Sequence, residues 1–214
     1  MPTVSEKKHS RASVDVMARK KRGSAPARMP LLRESPNSAV VEWGSLDVLP
    51  RSALVIVDVQ NGFIGPATSH VPDAIRNLLD AKRNEFALVI ATRFHNLPDS
   101  PFRKWIHWNR LAETPETDLV QGIGERADVV IDKNTYGIVK NLAELIGKAG
   151  VEHVYICGID TDVCVLQNAG GLFDLGYRVF VLLNATGTNG GTDAQIAAEK
   201  LLRRTIGSDQ VIAI

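Results

Sequence analysis

Residues 53–58 read Ala-Leu-Val-Ile-Val-Asp, an apolar run that continues without a polar break until an acid ends it. Further runs of this kind follow at residues 87–92, 128–132, 153–158, 178–183 and 210–214. A strand that is apolar at every position, rather than at alternate positions, predicts burial on both faces. That pattern is typical of a parallel sheet covered by helices.

Helical patterns lie between these runs, at residues 72–84, 138–149, 162–175 and 192–206. The alternation of six strands with helices predicts an α/β protein, a three-layer doubly wound fold with a mostly parallel six-stranded sheet and helices on both faces. Residues 93–127 are the exception, because prolines interrupt any helical pattern there. A long insertion after a strand commonly shapes a binding site.

The composition is that of a soluble globular protein, with 214 residues, 44% hydrophobic and 23% charged. No apolar stretch approaches the roughly 20 residues of a membrane-spanning helix, so no membrane association is expected. Residues 1–45 lack hydrophobic periodicity and are predicted to form a basic flexible tail, which leaves 46–214 as the domain. A tail that packs on a partner subunit and an organelle-targeting peptide stay open as alternatives.

The net charge of +1 hides an uneven distribution. Residues 1–34 hold nine Lys or Arg and three acids, so residues 35–214 hold 16 basic and 21 acidic side chains. The predicted domain therefore has no positive excess that would attract nucleic acid. Cys157 and Cys164 form neither a CxxC motif nor a zinc spacing, and no signal-peptide pattern is present. A reducing cytoplasmic location is expected.

Reactive side chains follow three of the predicted strands. Asp58 ends the first strand, Lys133 follows the third, and Cys164 lies in the turn between the fourth strand and its helix. Ligands bind at this edge of a parallel sheet, although each residue alone also suits a turn, surface or core role. A helix N-terminus and an ammonium group would lower the pKa of Cys164, and a carboxylate could take its proton. Cys157, inside an apolar strand, is predicted to be core.

Residues 158–165 read Gly-Ile-Asp-Thr-Asp-Val-Cys-Val. This segment resembles the G-x-x-T-D-x-C-V signature of the isochorismatase-like cysteine hydrolases, a family that includes nicotinamidases and N-carbamoylsarcosine amidases. Residues 58–63 resemble the family's D-x-Q-x-x-F motif, residues 92–94 match the end of its second strand, and residues 132–136 match its catalytic-lysine segment. The resemblance covers about residues 50–214.

The resemblance implies a catalytic role for each of these residues. Cys164 would attack a carbonyl carbon, Asp58 would shuttle the proton, and Lys133 would be their electrostatic partner. In the family a cis peptide precedes the residue that corresponds to Asp160, which makes Ile159–Asp160 the expected cis bond here. The N–H groups of Asp160 and Cys164 would then form an oxyanion hole.

The resemblance also narrows the substrate. Isochorismatases that act on a vinyl ether lack the cysteine, so Cys164 favours hydrolysis of the C–N bond of a small amide, carbamoyl or ureido compound. Metal-dependent nicotinamidases carry Asp-x-His after the second strand, whereas residues 92–96 hold no acid. His95 and His107 remain, but no metal or other cofactor is expected. The substrate pocket is predicted to be lined by Phe63, Phe94, Trp105, Trp108 and Tyr136.

Other functions stay open at this point. A non-catalytic binding protein on the same fold and a vinyl-ether hydrolase are the main alternatives, since a fold does not determine a function. A dinucleotide-binding oxidoreductase would need G-x-G-x-x-G after the first strand, which Gly62 and Gly65 do not provide. Besides a small-molecule substrate, the family leads us to expect a homodimer or homotetramer.

Overall fold

The computed structural model describes residues 42–214. Almost all of the predicted tail, residues 1–45, lies outside the described residues, so its flexibility stays a prediction. Within residues 42–45, Trp43 is buried and its indole N–H donates to the Ala74 carbonyl at 2.9 Å. The packed part of the chain therefore includes Trp43, which precedes the predicted domain boundary.

The sheet has six strands in the order β3-β2-β1-β4-β5-β6, and all five pairings are parallel. The strands are β1 (Ser52–Val57), β2 (Leu88–Phe94), β3 (Val129–Lys133), β4 (His153–Ile159), β5 (Arg178–Gly187) and β6 (Val211–Ile212). The predicted α/β fold is confirmed. Strand order reverses between β1 and β4, and ligands bind at such a reversal, beyond the carboxyl ends of the strands.

Helices cover both faces of the sheet, as predicted. They are α1 (Val71–Lys82), α2 (Pro101–Trp105), α3 (Val139–Lys148), α4 (Leu166–Asp174) and α5 (Gly191–Thr205). Apolar side chains of α1 join Trp43 in a core on one face of the sheet, whereas α3, α4 and α5 contribute to the core on the other face. Within residues 42–214, no helix has the length and apolar character needed to cross a membrane.

Strand β3 departs from the predicted burial on both faces. Exposure alternates along it, and Val130 keeps 42% of its surface exposed. The reason is its position, since β3 is the edge strand beyond β2 and Ile131 packs into the core from one side only. An apolar run in the sequence does not distinguish an edge strand from a central strand.

One buried side chain, Gln60, joins the insertion at 93–127 to the end of β2, alongside backbone hydrogen bonds to residues 59–62. Its amide nitrogen donates to the carbonyls of Phe94 and Thr117 at 2.9 and 2.8 Å, and its amide oxygen accepts from Phe94 N–H at 2.7 Å. These bonds join the end of β2 to the insertion. The aromatic side chains of this region are thereby held over the carboxyl edge of the sheet.

Gly158 allows β4 to approach β1 near that edge. Its backbone has φ of +119°, and a Cβ atom placed there would lie 2.1 Å from the carbonyl oxygen of Val57. Val57 and Gly158 are paired in two central strands, so neither backbone can move away without disrupting that pairing. Only glycine satisfies the backbone conformation and the contact together.

We predict that Gly158→Ala lowers the free energy of unfolding by about 3 kcal/mol or more, because the methyl group overlaps the backbone of β1. Urea denaturation followed by circular dichroism measures this change. Gly170→Ala is the matched control, since Gly170 lies inside α4 with open space around its Cα. It should stabilise the protein by about 0.5–1 kcal/mol. Equal effects of the two substitutions would contradict the steric argument.

Candidate active site

Asp58, Lys133 and Cys164 meet at the carboxyl edge of the sheet. The Nζ atom of Lys133 lies 2.7 Å from Asp58 Oδ2 and 3.6 Å from Cys164 Sγ. The side chains of Asp58 and Lys133 have no exposed surface, and Cys164 is 5% exposed. Lys133 and Cys164 both lie more than 70 positions after Asp58 in the sequence. The structure brings all three residues together.

The loop after β3 orients the Lys133 ammonium group. Nζ donates to the carbonyls of Thr135 and Tyr136 at 2.7 and 3.0 Å, and its third donor is directed at Cys164 Sγ. The same ammonium group lies 2.7 Å from Asp58 Oδ2, so the two side chains form a buried ion pair.

Thr92 on β2 holds Asp58 in place. Its hydroxyl donates to Asp58 Oδ1 at 2.6 Å and accepts the backbone N–H of Asp58 at 3.1 Å. Asp58 has φ of 50°, a left-handed conformation that Asp tolerates better than most residues. Sequence reasoning did not assign this role to Thr92. The signal was its position near the end of β2, one residue beyond Ala91, which pairs with Ile56.

A π-turn carries Cys164 into helix α4. It spans Thr161–Val165, and the carbonyl of Asp160 accepts from the N–H groups of Val163 and Val165 at 3.2 and 3.1 Å. The N–H of Cys164 makes no hydrogen bond to that carbonyl. Single π-turns are frequent at functional sites, because they change the direction of backbone groups.

The resting thiol differs from the sequence-based expectation. Burial raises the pKa of Cys164, the charge of Asp58 raises that pKa further, and Lys133 opposes both effects only in part. The prediction of a lowered pKa was wrong, because residue spacing indicates the neighbouring charges but not the loss of solvent. A thiol in this state is neutral and needs a base before it can attack. Burial also raises the pKa of Cys157, which lies in the core.

A cavity of about 300 Å³ opens at Cys164. Four of the five predicted aromatic residues line it, namely Phe63, Phe94, Trp108 and Tyr136. Its lining includes four further residues: Phe102, Ile106 and Val163, which the prediction missed, and Asp160, which it had assigned only to the oxyanion hole. Their apolar members belong to segments without periodicity or to the turn before Cys164, so no pattern in the sequence indicated which of them would face a site.

Trp105 does not line this cavity, which corrects its predicted role. It is the last residue of the short helix α2 and is 78% exposed. Its side chain borders a separate cavity of about 280 Å³, together with Pro101 and Thr135. The direction in which a five-residue helix turns its last side chain depends on packing, which the sequence did not reveal.

The residues around His95, where metal-dependent nicotinamidases carry their Asp-x-His motif, do not fit a metal ion. His95 Nε2 lies 3.1 Å from Asp132 Oδ1. Arg93 already engages both oxygens of that carboxylate, at 2.6 and 3.1 Å, and its hydrogen bond lowers the pKa of Asp132. Among residues 42–214, no three His, Cys, Asp or Glu side chains cluster so as to hold a metal. His107 therefore completes no such group.

Comparison with known proteins agrees with this fold. The isochorismatase domain family matches residues 52–208. Nicotinamidase 3 from Arabidopsis thaliana is 26% identical over 145 residues, which are 64% of this chain and 73% of that enzyme. A streptothricin hydrolase from Streptomyces noursei is 30% identical over 147 residues, which are 64% of this chain but only 49% of that enzyme.

Solved structures show the same fold. The crystal structure of a nicotinamidase from Bacillus subtilis superimposes with a TM-score of 0.67 at 19% identity, covering 76% of this chain and 99% of that one. With the family match over most of the chain, we conclude that the protein belongs to the isochorismatase family. The chain thus belongs to a family whose matched relatives include proteins named as hydrolases and amidases.

We predict that Asp58→Asn lowers the pKa of Cys164, because it removes the negative charge that raises this pKa and leaves Lys133 in place. The rate of alkylation by iodoacetamide follows the thiolate, so its rise with pH should shift to lower pH in the variant. Peptide mapping by mass spectrometry identifies the labelled cysteine. Cys157 is fully buried and serves as the internal control. An unchanged profile would show that Asp58 does not control the thiol.

Proposed function

We propose that this protein cleaves the C–N bond of a small amide, carbamoyl or ureido substrate through an acyl-enzyme on Cys164. The observation that carries the proposal is the position of Lys133 Nζ, in contact with both Asp58 Oδ2 and Cys164 Sγ beside an aromatic cavity. A nucleophile, a base and a cation at such distances are the components that nucleophilic catalysis requires.

The first step is attack of Cys164 Sγ on the substrate carbonyl carbon. The thiol proton moves to the carboxylate of Asp58, which is paired with Lys133 Nζ at 2.7 Å. A base is needed because the thiol is neutral at rest. Lys133 stabilises the thiolate as it forms, and Thr92 holds the other carboxylate oxygen so that the base keeps its orientation.

The negative oxygen of the tetrahedral intermediate needs donors. We assign the backbone N–H groups of Asp160 and Cys164 to this oxyanion hole. The assignment is supported by the π-turn. There the Asp160 carbonyl accepts hydrogen bonds from the N–H groups of Val163 and Val165 but not from the N–H of Cys164. Donors that are oriented before the reaction need no rearrangement as the charge develops.

Collapse of the intermediate breaks the C–N bond and leaves a thioester on Cys164. Asp58 returns the proton to the leaving nitrogen, which departs as ammonia or an amine. Water then attacks the thioester carbon and gives a proton to Asp58. The C–S bond breaks, the carboxylic or carbamic acid leaves, and the proton passes to Sγ to restore the thiol. Only side chains, backbone groups and water take part in this scheme.

The size and lining of the cavity support a small substrate. A volume of about 300 Å³ is at the lower end of ligand pockets, and most of its lining is aromatic or aliphatic. The relatives bear on the bond that is cleaved, since one is named a nicotinamidase and another an N-carbamoylsarcosine amidase. An acyl carbon with a nitrogen leaving group fits both the names and the geometry.

We predict that Cys164→Ala lowers hydrolysis by about 10⁴-fold or more, because no other group replaces the nucleophile. The assay measures ammonia or amine release from a panel of small amides, carbamoyl amino acids and substituted ureas. Rapid quenching and intact-mass analysis of the unmodified protein should detect the acyl adduct on Cys164. Cys157→Ala is the matched control and should retain activity, since Cys157 lies in the core and does not line the cavity.

Two results would contradict the proposal. Full activity of Cys164→Ala would exclude the acyl-enzyme, and turnover without any adduct under rapid quenching would favour direct attack by water. Equal loss of activity in both cysteine variants would show that their effect arises from folding.

A further inference from the structure

The mechanism above uses the backbone of Asp160 but not its side chain. Among the described residues that line the cavity, Asp160 carries the only carboxylate and no Lys or Arg is present. Its Oδ1 accepts from the backbone N–H and the side-chain amide of Asn189 at 2.8 and 3.0 Å. Asn189 is itself fixed, because its amide also donates to the carbonyl of Phe63 at 3.0 Å.

The second oxygen of this carboxylate has no such partner. No described residue donates a hydrogen bond to Oδ2 of Asp160. The side chain is largely buried, and Asp160 is one of the residues that line the cavity at Cys164. A carboxylate at the border of a cavity that is fixed through one oxygen keeps its other oxygen free to accept from a donor on a ligand.

The aromatic lining of the cavity favours a cationic ligand over a neutral donor. Five aromatic side chains line the cavity, Phe63, Phe94, Phe102, Trp108 and Tyr136. The faces of aromatic rings attract cations, and the attraction is stronger where water is excluded. The Asp58–Lys133 pair lies behind Cys164 with no exposed surface and with its charges balanced. Asp160 therefore gives the cavity its unbalanced negative charge.

We propose that Asp160 is a specificity residue that binds a cationic nitrogen of the substrate while the reacting carbonyl lies at Cys164. The inference rests on the proposed amide hydrolysis and narrows its substrate to small amides that also carry an ammonium, amidinium or guanidinium group. This role belongs to the side chain of Asp160, whereas the backbone N–H of the same residue is assigned to the oxyanion hole.

The energetics of the site point the same way. Burial raises the pKa of the Asp160 carboxyl, the bonds from Asn189 oppose that rise, and the charges of Asp162 and Asp58 add to it. An uncompensated carboxylate is costly here, and a bound cation removes that cost. The carboxylate would repel an anionic substrate, whereas a bound cation would also offset its repulsion of the developing oxyanion. The charge therefore selects against anions as well as for cations.

Charged thiol reagents test the proposal without any knowledge of the substrate. Three methanethiosulfonates modify Cys164: the trimethylammonium-ethyl reagent is cationic, the sulfonato-ethyl reagent is anionic, and the methyl reagent is neutral. Each second-order rate is divided by the rate of the same reagent with a free cysteine peptide. We expect the normalised rate for the cation to exceed that for the anion by about tenfold or more at low salt.

Asp160→Asn should reduce this cation-to-anion ratio by about tenfold, since it keeps the shape of the side chain and removes its charge. Asp162→Asn is the matched control, because it removes a charge two residues away on a side chain that does not line the cavity. Its ratio should stay within about twofold of the original protein. The neutral reagent corrects for any change in the reactivity of the thiol itself.

Several outcomes would overturn the inference. An unchanged ratio in Asp160→Asn, an equal reduction in Asp162→Asn, or a parallel change for all three reagents would each exclude a charge-specific role. If Asp160→Asn fails to fold, the unmodified protein still decides, because faster labelling by the sulfonate reagent contradicts the proposal directly. Labelling does not require hydrolysis, so a failure here is distinguishable from a failure of the amide panel.

Discussion

The buried ion pair between Asp58 and Lys133 is the interaction on which the rest of the site depends. Neither side chain is exposed, and removal of one partner from such a pair costs about 3–5 kcal/mol because the other charge stays buried. Thr92 and the carbonyls of Thr135 and Tyr136 supply the additional hydrogen bonds that a buried pair requires. Strands β1, β2 and β3 are thereby joined at their carboxyl ends, where the nucleophile must be placed.

The same lack of solvent explains how the chemistry is divided among the residues. Burial keeps the thiol of Cys164 neutral, so reactivity depends on proton transfer to Asp58 rather than on a permanent thiolate. Lys133 then compensates charge on either group as the proton moves. Around this balanced centre the cavity is aromatic, and the one carboxylate in its lining comes from Asp160. Catalysis and selection by charge are thus assigned to separate side chains of neighbouring segments.

Much of this arrangement was predictable from residue patterns. Continuous apolar runs predicted a parallel sheet, and strand ends predicted that Asp58, Lys133 and Cys164 would meet. The errors share one cause, which is that exposure depends on neighbours distant in the chain. Strand β3 is half exposed because it lies at the sheet edge, and Trp105 faces outward because of how α2 packs. The pKa of Cys164 was predicted in the wrong direction because burial outweighs the ammonium charge.

The sequence by itself determined the run at 53–58, its burial within a parallel sheet and the acid that ends it, because the period of apolar residues and the preferences of turns act locally. It also determined the family, through the segment at 158–165. Only the tertiary structure decided that Asp58 is paired with Lys133, that Thr92 clamps it, and which residues form the cavity. Those outcomes depend on distances between segments and on the exclusion of water, and both arise only when the sheet has closed against its helices.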